Sequence, residues 1–263
     1  MDTIVCLKQV VDPELPQWDF AIDPATRRQV RTGKPLVIST YDENALELAL
    51  QLKEKTGGKV TALTMGPQGE VKDAIRLALA MGADEAVVVD DPQSPQRLAA
   101  DKAPVLAAAI KRIGRFDLVL TGCESADWVE RAMAPFLAEA LGAACVTFIS
   151  RAESRDSMLS VRRTAEEGFQ TVEVHLPAVL SVTSDEAIRP RLPKVKDIMA
   201  AMRKPVQNWG RADLAAEENG VTKGVVIKDV SVPERTTKVE LLEGEPPEQA
   251  EALIARLRAL KIL

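Results

Sequence analysis

The sequence predicts an α/β fold with a doubly wound, mostly parallel sheet, and three observations support this prediction. Short apolar runs that suit buried strands alternate with segments whose apolar residues have helical spacing, up to about residue 150. Glycines stand where several helical segments end, among them Gly57, Gly82 and Gly142. Strands that alternate with helices pair in parallel through right-handed crossovers. The pattern therefore predicts one sheet covered by helices.

Five strands and four helices are predicted before residue 150. The first helix has capping-box spacing at Thr40 and Glu43 and runs to about Lys55. The fourth helix has apolar residues at helical spacing from Val129 to Leu141. The predicted strands are residues 3–7, 60–65, 86–89, 117–120 and 145–149, and the other helices are residues 71–81 and 103–113. The proline-rich and charged connection after the first strand predicts a loop that can include a short strand.

The pattern changes beyond residue 150. Residues 160–163, 170–176 and 178–182 are β-rich runs, which predict an antiparallel extension at the sheet edge. A short helix at 197–203, a strand at 225–232 and a helix at about 247–260 follow, and the polar residues 208–223 are typical of a linker or arm. The predicted organisation is a sheet domain, 1–205, and a C-terminal arm, 206–263.

Composition narrows the function classes. The formal net charge of −5 and the pI near 5.2 give no electrostatic support for nucleic-acid binding. We find no apolar run of about 18 residues, the length that spans a bilayer, and the first residues lead into a strand rather than a signal peptide. We therefore expect a cytoplasmic or matrix-type protein.

Cysteine and histidine give little material for catalysis or metal binding. The three cysteines are widely spaced, which indicates neither a zinc site nor a disulfide framework. Cys6 and Cys145 lie in strand-like runs and are predicted to be small buried hydrophobes, whereas Cys123 follows a loop glycine and is either inert or reactive. His175 is the single histidine and is predicted to have a structural role. We predict no metal site and no catalytic residues.

The loop after the fourth strand is the first candidate for a ligand site. The chain lacks the phosphate loop and the dinucleotide fingerprint, but the ends of strands one, two and four meet in a doubly wound sheet. Gly66 and Gly122 then allow close backbone approach, and Arg131 is the one cation that we expect to meet a phosphate. Two interpretations stay open, because these glycines can also simply turn the chain. Likewise, Asp127 and the neighbouring carboxylates suit acid–base or magnesium chemistry, or only a solvated helix start.

A basic, methionine-bearing segment at 189–204 is the second distinctive feature. Its cations surround apolar side chains at Leu192, Val195, Ile198, Met199 and Met202. This mixture suits docking on a partner that has an acidic rim and an apolar pocket. The alternative is that Ile198 and Met202 pack on the core of this chain.

Several unlinked phrases together resemble the beta subunit of electron-transfer flavoproteins over nearly the whole chain. They are LKEKTGGKVTALTMGP, RLALAMGADEAVVV, DLVLTG, VEVHLPAVLSV, RPRLPKVKDIMAAMRKP, PERTTKV and LRALKIL. The resemblance implies an adenine nucleotide alpha hydrolase-like sheet domain and a heterodimer in which the alpha subunit holds FAD. It also implies that this subunit has no enzymatic activity by itself and that residues 206–263 wrap the partner. The pair would take electrons from acyl-CoA or related flavin dehydrogenases and pass them to a membrane quinone reductase or another acceptor.

The resemblance also implies site residues. Nucleotide contacts fall on Cys6, Leu7, Ser39, Met65, Gly66, Gly122, Asp127 and Arg131, and donor docking falls on Leu192, Val195, Ile198 and Met199. Val195 aligns with the docking anchor, where the family more often has leucine. The family commonly has asparagine-proline where this chain has Ser39 and Thr40.

The nucleotide loop departs from the family pattern GKQAxDxDxxQxG. Gly122 and Asp127 are retained, but Val129, Ala132 and Ala134 replace an aspartate, a glutamine and a glycine. Each charged hydrogen bond lost to a phosphate is worth about 1.5–3 kcal/mol, so these changes predict loss of tight binding unless Arg131 or backbone amides compensate.

Several functions therefore stay open at this stage. This subunit can bind AMP, a second FAD as in electron-bifurcating members, or no nucleotide. An adenine-nucleotide hydrolase or sensing module is an alternative of another class, and a purely structural interaction protein is a third.

Overall fold

The computed structural model describes residues 1–155, 158–214, 225, 227–232 and 239–263. The chain divides into two compact units, Met1–Val230 and Ser231–Leu263. No helix in the described part is both long enough and apolar enough to cross a bilayer.

The first unit is built on a large sheet, to which nine of the described strands belong. The strands in chain order are β1 (Thr3–Leu7), β2 (Gln9–Val11), β3 (Ile22–Asp23), β4 (Arg28–Gln29), β5 (Leu36–Ile38), β6 (Val60–Gly66), β7 (Glu85–Asp90), β8 (Leu118–Gly122), β9 (Ala144–Arg155), β10 (Met158–Ala165), β11 (Gly168–His175), β12 (Ala178–Val182) and β13 (Val206–Gly210). The sheet order is β11-β10-β9-β12-β8-β1-β6-β7-β13. In this sheet order, every pair of adjacent strands from β9 through β12, β8, β1, β6 and β7 to β13 is parallel. Strand β10 is antiparallel to both of its neighbours, β9 and β11. The prediction of a mostly parallel sheet with an antiparallel extension is confirmed.

Helices cover both faces of this sheet. They are α1 (Thr40–Thr56), α2 (Lys72–Met81), α3 (Ala99–Ile113), α4 (Met133–Leu141) and α5 (Val195–Ala201), and α6 (Pro246–Ala259) belongs to the second unit. Successive side chains of β1 point to opposite faces, so Val5 and Leu7 pack in one cluster with α1 and α2. Ile4 and Cys6 pack in the other cluster with α3 and α4. This two-sided burial is the doubly wound arrangement that the sequence predicts.

Residues 178–182 correct one prediction, because β12 is not part of the antiparallel extension. It lies between β8 and β9 and is parallel to both. All five of its residues are buried, which suits a strand covered on both faces. Strand β9 consequently does not touch β8, and its outer half instead pairs with β10.

Two helix starts also differ from the predictions. Helix α4 begins at Met133 rather than Val129, because Val129 and Arg131 have positive φ angles of 53° and 56° that interrupt a right-handed helix. Helix α3 begins at Ala99, four residues before the predicted start. At α1 the capping box of Thr40 and Glu43 does not form, because Thr40 is already the first helical residue.

The predicted linker at 208–223 differs in part as well. Strand β13 pairs in parallel with β7, and Trp209 is buried in the core, so the linker prediction is wrong for residues 208–214. Residues 215–224 lie outside the described residues. The predicted strand at 225–232 is wrong for residues 225 and 227–232, which form no strand. Helix α6 confirms the predicted last helix, and none of its residues is buried.

Candidate functional site

A cavity of about 440 Å³ lies where β1, β6 and β8 end. Its volume is within the range of about 300–1,000 Å³ that is typical of small-molecule sites. Seven of the predicted cofactor residues line it, namely Cys6, Leu7, Met65, Gly66, Gly122, Asp127 and Arg131. Parallel strands bring their carboxyl ends to the same edge, which explains why residues so distant in sequence meet there.

Ser39, the eighth predicted residue, is buried and is not part of the cavity wall. Its hydroxyl accepts a hydrogen bond from the Ala126 N–H at 3.1 Å. Ser39 therefore supports the loop after β8 from behind rather than facing a ligand.

Asp42 lines the cavity, where it joins the ends of two strands, and it was not among the predicted site residues. Its buried carboxylate accepts backbone hydrogen bonds from Lys8 and Gly122, each at 2.8 Å. A Cβ atom on Gly122 would lie 2.6 Å from Asp42 Oδ1, so the close approach requires glycine. Burial raises the pKa of Asp42 to about 7, although the two backbone hydrogen bonds act in the opposite direction.

Lys8 and Asp127 form an ion pair at the cavity, with Nζ 2.6 Å from Oδ1. Burial acts to raise the pKa of Asp127, but the charge and hydrogen bond of Lys8 outweigh it, and the pKa lies below its ordinary value. Arg131 is not the one cation of the site, because Lys8 and Lys102 also line the wall. Its guanidinium pairs with Glu124, and its side chain is 59% exposed.

Lys102 projects from α3 into the same wall and is only 9% exposed. Burial and the charge of Lys8 lower its pKa to about 8. The sequence carried one signal for this residue, because Lys102 interrupts the apolar stripe of Ala99, Ala103 and Leu106 at a position that faces the sheet.

The segment between β2 and β5 contributes further cationic side chains to the cavity wall. Arg28 pairs with Glu70 at 2.6 Å, and Arg31 donates to the Glu70 carbonyl oxygen at 3.0 Å. Arg31 Nε is buried and has no hydrogen-bond partner among the described residues. The wall thus offers donors to an anionic ligand from both sides of the strand ends.

The thiols and the histidine are not poised for chemistry here. Burial raises the pKa of Cys6 to about 12 and that of Cys123 to about 11, so both are protonated at neutral pH. Cys145 is exposed, and the prediction that it is buried is wrong. His175 is exposed on β11 and is not among the cavity residues. The described residues contain no group of three or more metal-binding side chains.

The predicted docking residues lie on and beside α5 and point away from the core. Leu192 is 89% exposed and Val195 is 76% exposed, and Met199 is also exposed. The alternative that Ile198 and Met202 pack on the core is wrong, since they are 50% and 84% exposed.

The segment that carries the predicted docking residues, 189–205, is nevertheless held near both of its ends. Arg191 makes two hydrogen bonds to the buried Glu47 carboxylate, at 2.8 and 2.9 Å, and pairs with Glu54 at 2.6 Å. Lys204 Nζ donates to the carbonyl oxygens of Leu79 and Ala83 at 2.8 and 2.7 Å. Both anchors fix the backbone and leave the apolar side chains in solvent.

Comparison with known proteins gives one consistent family. The profile of the electron transfer flavoprotein domain matches residues 28–214. The chain is 34% identical over 268 residues to an electron transfer flavoprotein subunit beta of Thermoanaerobacterium thermosaccharolyticum, and the match covers 100% of both chains. It is 33% identical to the corresponding subunit of Clostridium acetobutylicum, with 98% of each chain covered. It is also 34% identical to the caffeyl-CoA reductase-Etf complex subunit CarD of Acetobacterium woodii, with 81% of this chain and 80% of CarD covered.

Proposed function

The chain belongs to the electron transfer flavoprotein family as a beta subunit, an electron-transfer protein rather than an enzyme, and we propose that it acts in a heterodimer. In this proposal an alpha subunit holds FAD, which supplies the redox chemistry. This chain docks the donor, a flavin dehydrogenase of the acyl-CoA type or a related one. The acceptor is a membrane quinone reductase or another redox protein. A relative that is a subunit of a reductase-Etf complex supports the assembly with partners.

The observation that carries this proposal is the fixed but exposed docking segment at 189–205. An apolar side chain gains about 1.5–3 kcal/mol when it moves from water into a protein pocket. A backbone that is already fixed by Arg191 and Lys204 loses little entropy on binding, so more of this gain becomes affinity. Exposed cations at Arg189, Lys194 and Lys196 surround the apolar side chains and suit an acidic rim on the donor.

The cavity supports a nucleotide-holding role more than a hydrolytic one. It has the position and size for a small ligand with an anionic group. Asp42 has the pKa of a general base, but both of its oxygens accept backbone hydrogen bonds, so it holds the fold rather than a substrate. We infer that this subunit can hold AMP or a second FAD, and the nucleotide content of the purified pair decides between them. The cytoplasmic location stays a prediction.

Val195 provides the test of the docking proposal, because its side chain can be shortened or lengthened. Each buried methylene is worth about 0.8 kcal/mol, so Val195→Ala should raise the KM for an acyl-CoA dehydrogenase donor about 15-fold and Val195→Leu should lower it about fourfold. Donor kinetics would be measured on the heterodimer that is purified after co-expression with its alpha subunit.

The control is Trp18→Ala, which removes an exposed apolar side chain outside the docking segment and should leave KM unchanged. Equal KM values in all four proteins would refute the docking role. A stable chain that purifies alone and transfers electrons without an alpha subunit would refute the heterodimer.

A further inference from the structure

Lys102 has a largely buried side chain in the cavity wall, and its ammonium group has no counter-ion in contact among the described residues. The residue is only 9% exposed and lines the cavity, and its Nζ is not among the fully enclosed polar atoms without a partner in the described residues, so the ammonium group is open to the cavity. A buried charge is costly unless it is paired and hydrogen-bonded. The described part of the chain therefore leaves the Lys102 ammonium group free to contact an anion in the cavity.

The carboxylates near Lys102 are already committed to other groups. Asp127 is paired with Lys8 at 2.6 Å, and Glu130 accepts the N–H of Ala99 at 2.9 Å at the start of α3. Asp91 is paired with Arg97 at 2.6 Å. These three carboxylates act on Lys102 only from beyond contact distance.

We propose that Lys102 recognises an anionic group of the phosphate class on the small ligand that this cavity holds. This inference deepens the proposed function and rests on it only in taking the cavity as a ligand site.

The assignment also explains how the cavity compensates for its altered loop. Val129, Ala132 and Ala134 stand where polar phosphate ligands would be expected from the resemblance, and they offer no side-chain hydrogen bond. Lys102 belongs to α3 and not to this loop, so its contact with the ligand does not depend on the loop side chains. The specificity for an anion thus moves from the loop to the helix.

The test compares ligands that differ in their phosphate. The heterodimer would be stripped of nucleotide and titrated by calorimetry with AMP, adenosine, FAD and inorganic phosphate. One charged hydrogen bond predicts that AMP binds about 10- to 100-fold more tightly than adenosine to the wild type. Lys102→Gln should abolish that difference, Lys102→Arg should retain most of it, and Lys111→Gln on the exposed side of the same helix should leave it unchanged.

Proton uptake separates a ligand contact from a merely structural role. The pKa of Lys102 is lowered to about 8 by burial and by Lys8, against the attraction of Asp127, Glu130 and Asp91. An anion in contact raises this pKa, so binding of AMP at pH 8, where Lys102 is about half protonated, takes up as much as about half a proton. The binding enthalpy should then differ between two buffers of unlike ionisation enthalpy for the wild type and not for Lys102→Gln.

Each outcome of the test decides the inference. Tighter binding of FAD than of AMP, or binding of inorganic phosphate alone, supports the inference if Lys102→Gln weakens that binding as much as it weakens the binding of AMP. Equal affinities for AMP and adenosine in the wild type, or an unchanged preference in Lys102→Gln, would overturn it. Electron transfer is measured on portions of the same heterodimer preparations that keep their nucleotides, and its absence in the wild type would refute the proposed function without affecting the binding result.

Discussion

Gly122 lies where β8 meets α1 with no space for a side chain, which makes Gly122→Ala the sharpest perturbation of the site. An added Cβ would lie 2.6 Å from Asp42 Oδ1 and 2.8 Å from both Asp42 N and the Tyr41 carbonyl carbon. Two of these three atoms are backbone at the start of α1, so no side-chain rotation relieves the clash. The helix or the strand end must move.

The cost follows from two contributions. Overpacking in a dense interior costs about 1–3 kcal/mol. Displacement also weakens the hydrogen bond from the Gly122 N–H to the Asp42 carboxylate, which is worth about 1.5–3 kcal/mol because it is charged. The sum of about 2.5–6 kcal/mol corresponds to a fall in Tm of roughly 5–24 °C for a unit of this size.

Gly69→Ala is the matched control. Gly69 has no positive φ angle, and a Cβ there would have no atom within 4 Å. Scanning calorimetry of the two heterodimers, together with the wild type, measures the difference. If Gly122→Ala and Gly69→Ala unfold within 2 °C of each other, the tight junction at Asp42 does not exist and the site geometry derived from it is wrong.

Two further predictions concern the charged groups that hold the structure. The raised pKa of Asp42 gives the fold a stability contribution that is fully present below about pH 4 and is lost as the pH rises to about 7. Asp42→Asn should therefore remove this part of the pH dependence of Tm between pH 5 and 8. An unchanged pH profile of Tm would contradict the assignment. Arg191→Met leaves the buried Glu47 carboxylate without its ion pair, which should destabilise the protein by about 2 kcal/mol after discount for the partly exposed arginine, and should raise donor KM. Lys196→Met, which changes an exposed cation of the same segment, is the control for stability and should change neither Tm nor the proteolysis of residues 189–205, and equal Tm values of the two variants would argue against the anchor.

The order of alternating elements was readable from sequence because burial dictates it. The run at 60–65 has four apolar residues and two threonines, and the run at 117–120 is apolar after Asp117, which is typical of a strand covered on both faces. Strand β12 has the same property, and its misplacement came from its position directly after a β-rich run. Consecutive strands are usually neighbours, but here the chain crosses the sheet to insert β12 between β8 and β9.

The rest depends on contacts that one-dimensional patterns do not carry. Strand β13 has the polar sequence VQNWG, because it lies at the sheet edge and only Trp209 among its residues is fully buried. The helix start at Met133 is set by positive φ angles at Val129 and Arg131, residues with no intrinsic preference for that conformation. The solvent exposure of the predicted docking residues likewise did not follow from the sequence, because an apolar residue at helical spacing can face either the core of its own chain or a partner.

Asp42 and Lys102 show why a shifted pKa alone does not identify a ligand contact. Burial disfavours the charged form of both groups, raising one pKa and lowering the other. The carboxylate of Asp42 is satisfied by two backbone N–H groups, so the fold itself accounts for its position. The ammonium of Lys102 faces the cavity and is acted on only by carboxylates that are not in contact with it, so it is free to meet an anion. The hydrogen bonds that each group makes, rather than the size of its pKa shift, therefore distinguish the structural residue Asp42 from Lys102, the residue that we propose contacts the ligand.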